Sequence, residues 1–154
     1  MNEQSMKINK ILVCCGPGCL SNHSLDIYEA LKNQAESDKL DISIETTVKA
    51  TGCHGFCEIG PLIKFLPQNI FYCNVKAADV EEIYERTLKN EEIIESLLYH
   101  EQGSGKRIQS PEAAAFYKGQ KKIALRNVGE IDAASIDDYI QRDGYKAQYW
   151  RHLF

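Results

Sequence analysis

Two short cysteine loops constrain this chain more than any other part of it. The first is Cys14-Cys15-Gly16-Pro17-Gly18-Cys19, and the second is Thr51-Gly52-Cys53-His54-Gly55-Phe56-Cys57-Glu58-Ile59-Gly60-Pro61. Each places thiols close together with glycine or proline between them. The chain from Cys19 to Cys53 has room for one helix and one strand. A fold that brings the loops together lets four thiolates share a metal or an iron–sulfur cluster. All six cysteines lie within residues 14–73. The start, Met1 to Lys10, is polar with no long apolar segment, so no secretory signal is expected and the expected location is cytoplasmic. Thiols there stay reduced, which makes a disulfide framework the weaker reading.

The segments around the loops read as an α/β domain. Lys7 to Cys14 is a strand with the apolar run Ile11-Leu12-Val13. Ser21 or Asn22 is placed to cap the following helix, in which Leu25, Tyr28, Leu31 and Ala35 recur at helical spacing and are expected to face the core. Leu40 to Lys49 alternates as a half-buried strand and runs into the second loop. Leu62 to Leu66 and Ile70 to Val75 read as a hairpin around Pro67-Gln68-Asn69, and Ala77 to Lys89 as a helix with Val80, Ile83, Tyr84, Thr87 and Leu88 on one face. A right-handed crossover makes the first two strands parallel, and the hairpin completes a four-stranded mixed sheet with flanking helices, a thioredoxin-like fold. Both cysteine loops then open at the carboxyl end of that sheet, where ligands of open α/β sheets collect.

Beyond this domain, at residues 6–98, the pattern weakens. Glu91 to Tyr99 reads as a short helix, and residues 99–110, with Gly103 and Gly105, as a flexible linker. Residues 111–154 form a C-terminal extension: a helix from Pro111 through Phe116, a short strand at Lys121 to Arg126, and a helix from Ala134 to Arg142 ended at Gly144. So short a segment lacks a full core and is expected to dock on the first domain or on a partner. Residues 1–98 carry 9 basic and 15 acidic side chains, and residues 99–154 carry 9 and 7. The acidic cysteine-bearing part argues against nucleic-acid binding. No apolar run approaches the ~20 residues needed to cross a bilayer, so direct membrane insertion is not expected.

By spacing alone, four thiolates suit a 2Fe–2S cluster or a structural zinc, and the zinc reading makes the chain an interaction module. A thiol–disulfide oxidoreductase is a third reading, weakened by the lack of Cys-x-x-Cys. Cys15 competes with Cys14 for the first position, although spacing to Cys19 favours Cys14. Cys73, on a strand beside Tyr72, reads as a small buried hydrophobe. His54 sits inside the second loop, as a substitute ligand or as a neighbour that tunes the site. His23 reads as a solvated residue, Tyr28 and Tyr84 as core, and Glu58 as surface or an acidic neighbour of the site.

Together, Cys14-x-Gly16-x-Gly18-Cys19 and Thr51-Gly52-Cys53-x-Gly55-x-Cys57-Glu58-x-Gly60-Pro61 resemble the thioredoxin-like 2Fe–2S ferredoxin family. More narrowly, they resemble the ferredoxin domain at the N-terminus of flavoprotein subunits in NADH-linked complexes: complex I-type NADH dehydrogenases, bifurcating NAD(P)-linked hydrogenases and NAD-dependent formate dehydrogenases. The resemblance implies a 2Fe–2S cofactor with Cys14, Cys19, Cys53 and Cys57 as its four ligands, and no catalytic residues. It continues through Phe116-Tyr117-Lys118-x-Gln120-Lys121, Arg126-Asn127-x-Gly129-x-Ile131-Asp132 and Asp137-Asp138-Tyr139-Ile140 to Gly144-Tyr145-x-Ala147, which look like the opening of the flavoprotein body. The glycine-rich FMN- and NADH-binding loop of that family is not in this sequence. The implied role is one-electron transfer as a module of an NADH- or NADP-linked oxidoreductase, with flavoprotein and iron–sulfur subunits as partners and no FMN or NADH site in this chain.

Overall fold

The computed structural model describes residues 8–37 and 47–151. Its centre is a four-stranded sheet in the order β2-β1-β3-β4, formed by β1 (Lys10–Cys14), β2 (Thr47–Thr51), β3 (Ile63–Leu66) and β4 (Ile70–Tyr72). β1 and β2 are parallel, with Cys14 opposite Thr51, so both cysteine loops leave the sheet at one end. β3 runs antiparallel to β1 and to β4. The mixed sheet and the thioredoxin-like order match the expectation. The alternation expected over Leu40 to Thr46 lies outside the described residues.

Alternate residues of each strand face opposite sides. On one side Ile11, Val13, Ile63, Phe65, Ile70 and Tyr72 pack with Ile27 and Leu31 of α2 (Ser24–Ser37) and with Val80 and Ile83. The helical stripe of α2 is Ser24, Ile27 and Leu31, and Leu25 is 47% exposed, which corrects its expected place in the core. The reason lies one turn earlier. The first cysteine loop is itself a short helix, α1 (Pro17–Ser21). Ser21 Oγ and Asn22 Nδ2 bond back to the carbonyls of Pro17 and Gly18 and do not cap α2. His23 then turns left-handed at φ 63°, which resets the phase of the next helix. At about 100° per residue, Leu25 falls roughly opposite Ile27.

Ala77 to Lys89 is helical throughout but changes winding: a 3-10 turn at Ala77–Asp79, α3 (Val80–Glu82), then a π-helical segment over Ile83–Lys89. Val80, Ile83, Tyr84 and Thr87 are buried as the spacing implied. The Tyr72 hydroxyl meets Thr87 Oγ1 at 2.8 Å and accepts from Ile94 N–H at 2.9 Å, which ties this helix and the chain after it to β4.

The next stretch departs from expectation. Glu91 to Tyr99 holds only one 3-10 turn, Glu95–Leu97. Residues 99–110 are not a free linker, because β5 (Tyr99–His100) and β6 (Arg107–Ile108) form a hairpin. Backbone bonds from Cys73 N to Leu97 O and from Phe71 N to Gln109 O hold this chain along the β4 edge. An open strand edge offers unpaired donors and acceptors, and the segment covers them. Lys121 to Arg126 is not a strand but enters a series of turns, with Ile123 and Leu125 exposed. The extension's regular parts are a 3-10 turn at Pro111–Ala113, α4 (Ala115–Lys118), α5 (Ile136–Gln141) capped by Ser135, and α6 (Lys146–Arg151).

The extension packs on the other side of the sheet. That side carries Lys10, Leu12, Lys49, Lys64 and Phe71. Lys10 Nζ donates to the Glu130 carbonyl, Lys49 pairs with Asp138, and Lys64 bonds Glu130 at 2.8 Å and Glu112 at 3.3 Å. Two lysines of the sheet thus meet three carboxylates of residues 111–138, and a third, Lys10, meets a backbone carbonyl of the same segment. Lys64 is 4% exposed, and a charge buried this deeply requires such partners. Among the described residues, no helix is long and apolar enough to cross a membrane.

Candidate metal centre

Cys14 ends β1 and Cys19 lies within α1, and both are fully buried. Cys53 and Cys57 follow β2, the first half-buried and the second exposed. The Cys14 thiol donates to the Gly52 carbonyl at 3.8 Å, and the Cys19 and Cys53 thiols act on its ionisation as neighbours. Cys53 Sγ and Cys57 Sγ are 3.5 Å apart. The structure therefore brings the four expected residues together at the carboxyl end of the parallel strands.

Glycines make this approach possible. A Cβ on Gly16 would stand 2.7 Å from Cys53 Cβ, and one on Gly60 only 2.6 Å from Cys19 Sγ. The two loops and the Gly60 turn thus form a close cradle around sulfur. At Gly55 the need is conformational. Its φ of 90° suits glycine, and its N–H donates to Cys53 Sγ at 3.3 Å.

The thiols are electrostatically inequivalent. Hydrogen bonding from Cys19, aided by the Gly16 and His54 backbone against the opposing effect of burial, pulls Cys14 down to about 6. The same contact, then burial, pushes Cys19 up. One thiolate forms readily here, and its charge opposes ionisation of Cys19 and Cys57. Four thiolates in one place call for a compensating cation, and this donor set fits iron held by sulfur. Among the described residues, no three His, Cys, Asp or Glu side chains converge on a point suited to a single metal ion.

The neighbours take other roles. Cys15 turns toward Ser24, and burial raises its pKa. Cys73 packs with Leu62 and Phe71, and burial pushes it up to about 12, as suits a core thiol. His54 is 5% exposed, and burial, then Lys64, lowers its pKa to about 4, so the ring is neutral. Thr51 Oγ1 stands 3.3 Å from both the Val13 carbonyl and His54 Nε2, which ties the ring to the ends of β1 and β2. His54 thus packs beneath the loop and does not stand in for a cysteine.

The residues that cover this loop carry no functional signal in their local sequence. The Tyr117 hydroxyl donates to the His54 carbonyl, and its ring meets Phe56 edge-on at 4.9 Å. Gly129 lies so close over the His54 ring that a Cβ there would come within 2.7 Å of Nδ1. A cavity of about 270 Å³ remains beside them, lined by both signs of charge, including Lys64, Arg126, Glu112 and Glu130.

A thioredoxin-like domain with two facing cysteine loops at the end of its parallel strands defines the class. No protein-family model matches the sequence. A 2Fe–2S ferredoxin of Clostridium pasteurianum is 40% identical over 79 residues, which are 51% of this chain and 76% of that protein. A 2Fe–2S ferredoxin of Aquifex aeolicus strain VF5 is 31% identical over 80 residues, 52% of this chain and 71% of that protein. Two solved structures of a thioredoxin-like 2Fe–2S ferredoxin from Aquifex aeolicus each superpose with a TM-score of 0.55 at 28% identity. Each covers 59% of this chain, and 89% and 95% of the respective ferredoxin. The chain belongs to the thioredoxin-like 2Fe–2S ferredoxin family.

Proposed function

We propose that this chain carries single electrons through a 2Fe–2S cluster held by Cys14, Cys19, Cys53 and Cys57, as a module of an NADH- or NADP-linked oxidoreductase. The observation that carries the electron-transfer reading is the close approach of the two cysteine loops, with Gly16 against Cys53, Gly18 against Cys57 and Gly60 against Cys19, in a member of this ferredoxin family. When bound, the cluster supplies one-electron chemistry. The chain's own residues bury Cys14 and Cys19, leave Cys57 at the surface, and donate the Gly55 N–H to Cys53. Electrons therefore exchange on the Cys57 side, where the path to a partner is shortest.

The partner reading rests on the extension, whose sequence resembles the opening of an NADH-linked flavoprotein body. Its outer side leaves Ile136, Tyr139 and Ile140 exposed. We place the contact with flavoprotein and iron–sulfur subunits there. Co-purification of the native complex tests this: Ile136→Asp with Ile140→Asp releases a flavoprotein that the wild-type chain retains. A wild-type chain that brings down no flavin-containing partner from its source cells contradicts the partner reading and leaves the cluster reading standing.

A further inference from the structure

We infer that Tyr117 is a positioning residue for electron transfer, acting on Cys53 through one peptide group of the second cysteine loop; this rests on Cys53 being a cluster ligand. The geometry is a three-part chain. The Tyr117 hydroxyl donates to the His54 carbonyl. The same peptide ends in the Gly55 N–H, which donates to Cys53 Sγ at 3.3 Å. Carbonyl and N–H point in opposite directions across a trans peptide, so one unit accepts from the extension on one side and donates to sulfur on the other. Hydrogen bonds in series polarise one another, and withdrawal of electron density at the carbonyl makes the N–H a stronger donor.

The surroundings preserve this relay. His54 is buried, Gly129 closes over its ring, and Phe56 braces the Tyr117 ring, so both ends of the peptide are held. Reduction adds negative charge to the sulfurs, and donors to sulfur favour the reduced form. The Tyr117 hydroxyl therefore raises the midpoint potential. The extension reaches into the electron-transfer site without supplying a ligand.

Tyr117→Phe keeps the ring and removes the donor. Redox titration of the whole chain with dithionite reads the effect. The expected result is a more negative midpoint, with the oxidised-to-reduced ratio at fixed potential changed about threefold, or about 28 mV at ~59 mV per tenfold for one electron. Replacing Tyr117 with 3-fluorotyrosine, a stronger donor, moves the midpoint the other way. Iron, labile sulfide and visible absorption on the same samples separate the two claims. A wild-type protein without a cluster contradicts the proposed function, and the relay is then read by amide exchange at Gly55 in the metal-free chain, which is faster in Tyr117→Phe. An unchanged or more positive midpoint in a fully loaded Tyr117→Phe, or unchanged Gly55 exchange in the metal-free protein, overturns the inference.

Discussion

Gly60 shows how closely single residues are fitted to this site. Its Cα lies where any side chain would strike Cys19 Sγ, so Gly60→Ala must displace the sulfur or the turn. The expected outcome is a folded chain with at least half its bound iron lost, measured as iron and labile sulfide per chain. Serine replacements give a sharper division. At Cys14, Cys19, Cys53 or Cys57 they abolish or severely reduce cluster content, whereas Cys15→Ser and Cys73→Ser largely preserve it. Full occupancy in Cys14→Ser with loss in Cys15→Ser would reverse the ligand choice, although the Cys15 thiol turns toward Ser24. At this scale the sequence was informative. Loop spacing and glycine content marked the cysteines because thiolate ligation needs short, bendable segments. Tyr117 and Gly129 were visible only as parts of a resemblance, since nothing local records which loop a residue 60 positions away will cover.

Among the elements, the sheet was easier to read than the parts added to it. Ile11-Leu12-Val13 and the 62–75 hairpin declare strands by apolar runs and turn residues. The phase of α2 was misread because a left-handed His23 is not encoded in hydrophobic spacing. The 99–110 hairpin was hidden because two-residue strands have no periodicity, and their pairing depends on an edge of β4 offered by the tertiary fold. Sheet and extension are joined chiefly by charge, which gives two predictions. Glu130→Gln leaves the buried Lys64 ammonium with Glu112 as its remaining carboxylate partner and costs about 1–3 kcal/mol in urea unfolding. Asp138, 5% exposed, is held below the usual carboxylate range by its hydrogen bond from Lys49, against the opposing effect of burial. A lowered folded pKa means that this contribution is complete above the ordinary aspartate value of ~3.9 and is lost as pH falls through the lower folded value. The stability gap between wild type and Asp138→Asn is therefore constant above about pH 5 and narrows in stronger acid. A gap independent of pH down to full acid unfolding would contradict the ion pair.

For the whole molecule, the arrangement is asymmetric by design of the chain. One side of the sheet carries an apolar core beneath α2 and the 77–89 helix, and the other carries lysines that the extension neutralises. The cysteine loops lie at the end shared by both sides. Of the two surfaces open to residues 111–154, the first domain or a partner, their own domain takes them, because Lys10, Lys49 and Lys64 on alternate strand positions form a basic stripe that strand-by-strand reading does not assemble. The central claim is that four thiolates hold one 2Fe–2S cluster that carries an electron. The most direct measurement is the visible and electron paramagnetic resonance spectrum of the purified full chain before and after dithionite, with iron, sulfide and zinc determined on the same sample. The expected result is a brown-red protein whose absorbance bleaches on reduction and whose one-electron-reduced form gives a 2Fe–2S signal. A colourless protein with one zinc per chain and no labile sulfide would contradict it.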